Sequence, residues 1–258
     1  MRIVHLTAGA GPRYCGACLR DTALVRALRQ QGHEVSLQPL YLPIHDEEDL
    51  QEDTRVLMGG IATWLAIYAP SLGKLVPPLE RALGSRALLQ VAGRLGEMTT
   101  PENLGRMTDA TVRGEGYALS ELLDRVSREV AEFGPDVVLL SNALLLGLAP
   151  ALRSRTQATL ICTLQSEPDF IDELDTPWSD RVWETLASLS SQVDGFIAVS
   201  SAHRAEMSER LNIERAQISV VPHGIEPGSF TFEDSQQRHR SVAYLARLDE
   251  RHGAHRLV

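Results

Sequence analysis

The sequence predicts a doubly wound parallel α/β sheet with helices on both faces. Three observations carry that expectation. Short apolar runs alternate with amphipathic segments along most of the 258 residues, the pattern of a parallel sheet covered by helices. A glycine-containing loop joins the first apolar run to the first helical segment, as at the start of many βα units. Apolar residues make up 43% and charged residues 23% of the chain, close to the globular average, which excludes disordered and fibrous classes.

Taken in order, Ile3 to Thr7 reads as a buried strand and Ala8 to Gly16 as a loop. The helix that follows is expected to bury a face of Leu19, Ala23, Leu24, Ala27 and Leu28. Gly32 is placed to close it, because glycine adopts the left-handed conformation of a helix C-cap without steric cost. Glu34 to Leu40 supplies the second strand. From Tyr41 to Thr111 an acidic loop, the Gly59-Gly60 pair and short helical patterns are broken by Pro70, Pro77, Pro78 and Pro101. A helix over about Tyr117 to Phe133 stops at Gly134-Pro135, and Val137 to Leu140 is a strand. Further strands are expected at Ala158 to Thr163, Gly195 to Ser200 and Ile218 to Val221. A helix begun at Thr176-Pro177 groups Val182, Trp183, Leu186 and Leu189 on one face, and another runs from Ser201 to Leu211. After a polar connector, Ser241 to Leu245 reads as the first strand of a new unit. Gly253 to Val258 then stops where a helix should begin.

The net charge of −9 and the lack of a basic run exclude nucleic acid as a partner, since phosphate contacts need dense positive charge. The opening residues lack the features of a signal peptide. The longest apolar stretch, Val137 to Leu152, contains Ser141, Asn142 and Pro150 and falls short of the roughly 20 residues that span a bilayer. Three cysteines do not make a disulfide framework, so the cytoplasm is the expected compartment. Residues 61–95 carry Lys74, Arg81, Arg86 and Arg94 against Glu80, a local charge of +3. That reversal marks either a peripheral membrane or lipid-linked acceptor face, or a helical insertion packed on the domain.

Gly9-Ala10-Gly11 follows the first strand, where backbone N–H groups and a helix N-terminus can hold an anion or a sugar. The same glycines also let the chain turn. A dinucleotide fingerprint is not met, because Tyr14 stands where a third glycine is needed and the second strand ends in Pro39-Leu40-Tyr41 without an acid for a ribose. Cys15-Gly16-Ala17-Cys18 at a helix start is open to three readings: a structural or substrate-facing loop, a redox-sensitive pair, or half of a metal site completed by Cys162 and His5.

Two late segments narrow the function. Val220-Val221-Pro222-His223-Gly224-Ile225-Glu226, followed by Phe230, resembles the Val-Pro-Asn-Gly-Ile-Asp…Phe signature of family 4 glycosyltransferases. Tyr244-Leu245-Ala246-Arg247-Leu248-Asp249-Glu250-Arg251-His252-Gly253 is similar to that family's Gly-Arg-Leu-x-x-x-Lys-Gly, which opens the C-terminal lobe. Gly9 to Gly11, Gly32-His33-Glu34-Val35 and Ala198-Val199-Ser200-Ser201 also fit the N-terminal lobe, and Tyr14 to Asp21 looks like a bacterial subgroup.

The resemblance implies the Rossmann-like N-terminal lobe of a GT-B fold over residues 1–232. Residues 233–258 are then a connector and the truncated start of the donor lobe. It implies retaining, metal-independent transfer of a sugar from a nucleotide-sugar donor to a glycan or lipid-linked acceptor, with no cofactor besides the donor. Gly9, Gly11, Gln165, Glu167, His223, Gly224 and Arg247 are the expected substrate contacts, and no catalytic residue is assigned. Arg247 matches the phosphate-binding arginine, while His252 stands in place of the family's lysine and Ala246 in place of a glycine. Gln165 takes the place of a histidine near the reaction centre; it can hydrogen-bond a hydroxyl but cannot shuttle a proton near neutral pH. His223 occupies the asparagine-like turn position. The family's Glu-x₇-Glu element lies beyond residue 258, which weakens donor binding and leaves a non-catalytic carbohydrate- or partner-binding remnant as the alternative, with a thiol redox protein using Cys15 and Cys18 as a third.

Overall fold

Parallel pairing requires a crossover after every strand, and the computed structural model supplies them. It describes residues 1–9, 16–44, 56–69, 101–114, 116–224, 244 and 253–256. The chain divides into two units, Met1–His223 and Gly224–Val258. In the second, Ala254–Arg256 form a short 3₁₀ turn; the strand expected over Ser241 to Leu245 lies, apart from Tyr244, outside the described residues.

In the first unit β1 (Arg2–Thr7), β2 (Glu34–Pro39), β3 (Val137–Leu140), β4 (Thr159–Thr163), β5 (Gly195–Ala198) and β6 (Ile218–Val220) form one sheet. Its order is β2-β1-β3-β4-β5-β6, and every pairing is parallel. The described α-helices are α1 (Gly16–Gln30), α2 (Gly60–Tyr68), α3 (Pro101–Arg113), α4 (Tyr117–Phe133), α5 (Ala149–Arg155), α6 (Glu167–Ile171), α7 (Trp178–Leu189) and α8 (Ser201–Arg210). This is the doubly wound α/β architecture expected from the sequence.

The two faces of the sheet follow from strand alternation. Ile3, Val35, Leu37 and Leu139 pack with Val25 of α1 on one side. Val4, Leu6, Val138, Leu140, Leu160, Cys162 and Phe196 join the larger core on the other, together with Leu122 and Val126 of α4, Leu152 of α5 and Val182 and Leu186 of α7. A fully buried leucine contributes roughly 1.5–3 kcal/mol, so the central strands anchor the domain.

Most elements form where the sequence places them. The helix over 117–133 ends at Gly134, which is left-handed (φ 64°), and α1 ends through Gly32 (φ 84°), whose neighbour His33 donates its N–H to the Leu28 carbonyl at 3.1 Å. Ser200 caps α8 by accepting the His203 N–H at 3.1 Å.

The buried face of α1 differs from expectation. Cys18, Asp21, Thr22 and Val25 point inward, whereas Leu19 is 50% exposed. The helix is rotated because Asp21 has a buried partner, His5, in the middle of β1, and an unpaired buried carboxylate would cost more than one exposed leucine. Of segment 61–95, residues 61–69 are described: α2 buries Ala62, Thr63, Ala66 and Ile67, and Trp64 stacks on Tyr68 with ring centroids 5.3 Å apart. Lys74, Glu80, Arg81, Arg86 and Arg94 lie outside the described residues. Among the described residues, no helix is long and apolar enough to cross a membrane.

Candidate functional site

The strand order places the topological switch between β1 and β3, since the chain proceeds from β1 outward to β2 and then returns to β1's other side. In open α/β sheets the crevice at the C-terminal ends of the strands flanking such a switch is where ligands bind. Here those ends are Thr7, Leu140 and, one strand on, Thr163.

Gly9 closes the β1 end. Its φ is +78°, and a Cβ added there would sit 1.7 Å from the Leu42 carbonyl oxygen. The loop after β2 is drawn this close because Tyr41 and Leu42 both donate N–H groups to the Ala8 carbonyl, at 3.0 and 3.3 Å. Glycine at position 9 is therefore required by packing as well as by backbone conformation.

At the centre lies a charged cluster. Asp21 is fully buried, with one carboxylate oxygen 3.3 Å from His5 Nε2 and 2.5 Å from Arg20 Nη2. Burial works to raise its pKa, but the hydrogen bond and charge of His5, joined by Arg20, outweigh it and hold the carboxyl below its ordinary value. The Arg20 guanidinium also donates to the Ser141 carbonyl at 3.2 Å and meets Thr163 Oγ1 at 3.5 Å. Thr163 in turn donates from its hydroxyl toward Ser141 O at 2.7 Å. Arginine, hydroxyl and carbonyl thus converge where β3 and β4 end.

Gln165 joins them. Its Nε2 donates to Ser141 O, and the described hydrogen bonds leave its Oε1 as an unused acceptor. The backbone beneath it is fixed by Glu167, which is 3% exposed. One Glu167 oxygen accepts the Ala143 N–H at 2.8 Å and the other the Gln165 N–H at 2.6 Å. The carboxylate therefore ties the loop after β3 to the loop after β4. Burial pushes its pKa up, and the backbone N–H bonds and the nearby His203 only partly offset this. His203 Nε2 stands 3.8 Å from Glu167, and its Nδ1 3.7 Å from Glu206.

His223 is exposed at the end of the unit. Its pKa is lowered first by partial desolvation and next by the charge of Arg20, with Asp21 acting the other way. Gly224 is exposed and belongs to the second unit. Gly11, Cys15 and Arg247 lie outside the described residues. The structure thus brings Gly9, Gln165, Glu167 and His223 to one edge of the sheet, with Glu167 turned inward as a tie.

Cys18 is buried in α1. Burial, and next the charge of Glu167, push the Cys162 thiol well above its usual range, against the charge of Arg20, so this thiol is held protonated. Among the described residues, no group of three or more His, Cys, Asp or Glu is placed to hold a metal ion.

Sequence reasoning passes over Arg20, Asp21, Ser141, Thr163 and His203. One signal was available: a histidine inside the apolar run of β1 requires a buried polar partner, and the nearest acid on the following helix is Asp21.

A sheet of this order, with polar groups gathered where β3 and β4 end, defines a doubly wound α/β domain. Residues 104–228 match the family described as Glycosyltransferase Family 4, a stretch that includes β3 to β6, Gln165, Glu167 and His223. That stretch is therefore family 4 glycosyltransferase-like. No curated protein matches it.

Proposed function

We propose that the first unit is the acceptor-side lobe of a retaining glycosyltransferase that draws its sugar from a nucleotide-sugar donor. The observation that carries this reading is the polar edge formed by Ser141, Thr163 and Gln165 at the switch point, inside the family 4 match. A sugar acceptor needs hydroxyl partners held in fixed geometry, and Gln165 Oε1 is a neutral acceptor on a loop pinned from beneath by Glu167. In this reading Gly9, Gly11, His223 and Gly224 border the acceptor, and Arg247 serves the donor diphosphate. Glu167 acts by positioning Gln165 instead of touching sugar. The transfer is metal-independent and takes place on the cytoplasmic side, with a glycan or lipid-linked acceptor.

The test is a glycan binding screen with the whole chain and its Gln165→Ala variant. The reading expects at least one class of glycan or sugar alcohol to bind. It also expects Gln165→Ala to weaken that binding about 5- to 10-fold, the worth of one hydrogen bond. Binding that is indifferent to Gln165→Ala would remove this residue, and the crevice with it, from the acceptor site.

A further inference from the structure

The cluster at the switch point has an asymmetry that hydroxyl recognition does not use. Asp21 and His5 are both fully buried, whereas the Arg20 side chain is 17% exposed. One buried carboxylate thus meets two basic side chains, and of these only the arginine reaches the surface. Its Nε and Nη2 edge is committed to Asp21, Ser141 and Thr163. The described hydrogen bonds leave Nη1 unused. The guanidinium is therefore held along one edge while Nη1 stays free to donate, the arrangement in which arginine recognises oxyanions at low entropic cost.

A second observation concerns the potential at the crevice mouth. Arg20 and Asp21 act on His223 with opposite signs. Behind partial desolvation, the charge of Arg20 thus outweighs that of Asp21 at His223. A neutral sugar would gain nothing from that field, whereas an anion would.

We propose that Arg20 binds an anionic phosphoryl group of the substrate, so that the crevice selects a phosphorylated ligand over its neutral counterpart. This rests on the reading of the crevice as a sugar-substrate site and adds the charge class of what enters it. A phosphoryl group could come from a phosphorylated acceptor or from the diphosphate of a nucleotide donor; both offer the same tetrahedral oxyanion to the guanidinium.

The test titrates the whole chain with inorganic phosphate, glucose 6-phosphate, glucose and uridine diphosphate. It follows the Arg20 Nε–H and the His223 imidazole by NMR, with thermal melting as a check on folding. Inorganic phosphate should move both signals, and glucose 6-phosphate should bind at least about tenfold more tightly than glucose. Tighter binding of glucose 6-phosphate than of uridine diphosphate assigns the group to the acceptor, and the reverse order assigns it to the donor. Arg20→Gln should weaken phosphate binding about tenfold or more and raise the His223 pKa. Arg20→Lys keeps the charge and the stem, and should weaken binding less. If Arg20 only ties α1 to the strands, Arg20→Gln lowers the melting temperature but binds phosphate as the parent does, and the proposal falls. Should Arg20→Gln not fold, an unmoved Arg20 Nε–H in the parent chain at saturating phosphate overturns it equally. Phosphate at Arg20 without any glycan response at Gln165 would sink the sugar-acceptor reading and leave this one standing.

Discussion

Replacing Gly9 with alanine tests whether that glycine serves the fold or only a ligand. The added Cβ would lie 1.7 Å from the Leu42 carbonyl oxygen and 2.7 Å from its carbon. The neighbour is backbone, so no side chain can swing aside. The β1 end must shift, and the bonds from Tyr41 and Leu42 to the Ala8 carbonyl, now 3.0 and 3.3 Å, go with it. Each is worth about 1 kcal/mol. Holding alanine at φ +78° costs roughly another 1–2 kcal/mol. The expected destabilisation is therefore about 3–4 kcal/mol, read by urea unfolding as a lower midpoint at unchanged slope. A change below about 0.5 kcal/mol, the range of an ordinary surface substitution, would refute the reasoning and return Gly9 to a purely ligand-facing role.

Three further outcomes follow from the same contacts. Glu167→Gln places an amide NH₂ opposite one of two backbone N–H groups and should cost about 1–2 kcal/mol, with Glu167→Ala costing more; a more stable Glu167→Gln in chemical denaturation would show that relief of the buried charge dominates. Asp21 has a folded-state pKa below its unfolded value, so its contribution is present above the unfolded pKa and is lost as pH falls through the folded one. Asp21→Asn should then destabilise by about 3 kcal/mol at neutral pH, with the gap closing below about pH 4; a gap that does not vary with pH would contradict the pairing. Gly147→Ala would bring a Cβ within 2.5 and 2.7 Å of the Thr111 and Val112 carbonyl oxygens and should cost about 1–3 kcal/mol by overpacking α3 against the 3₁₀ helix Ala143–Leu148, which thermal melting would detect.

What could be read in advance was set by local physics. The helix over 117–133 and the strand over 137–140 were legible because a 3.6-residue apolar period stops at Gly134-Pro135 and a four-residue apolar run follows it. The buried face of α1 was not legible. Its rotation depends on the 3.3 Å contact between Asp21 and His5, which lie on different elements, and periodicity within one helix carries no trace of such a contact. The site divides in the same way. Gln165 and His223 lie in segments with a recognisable family pattern, whereas Ser141 and Thr163 matter through a carbonyl and a hydroxyl that converge only once β3 and β4 pair. Glu167 was found by its residue type, yet its acid groups face backbone N–H donors rather than solvent. Helices α2 and α3 sit in a proline-broken stretch whose short patterns gave no defined boundaries.

The central claim is that sugar substrate enters the crevice at the ends of β1, β3 and β4. Backbone amide shifts of the whole chain, mapped during titration with a glycan found to bind, test it most directly. The account predicts perturbations concentrated at Gly9, Ser141 to Ala143 and Thr163 to Glu167, and lost in Gln165→Ala. Perturbations clustered elsewhere in the first unit, with those residues silent, would contradict it.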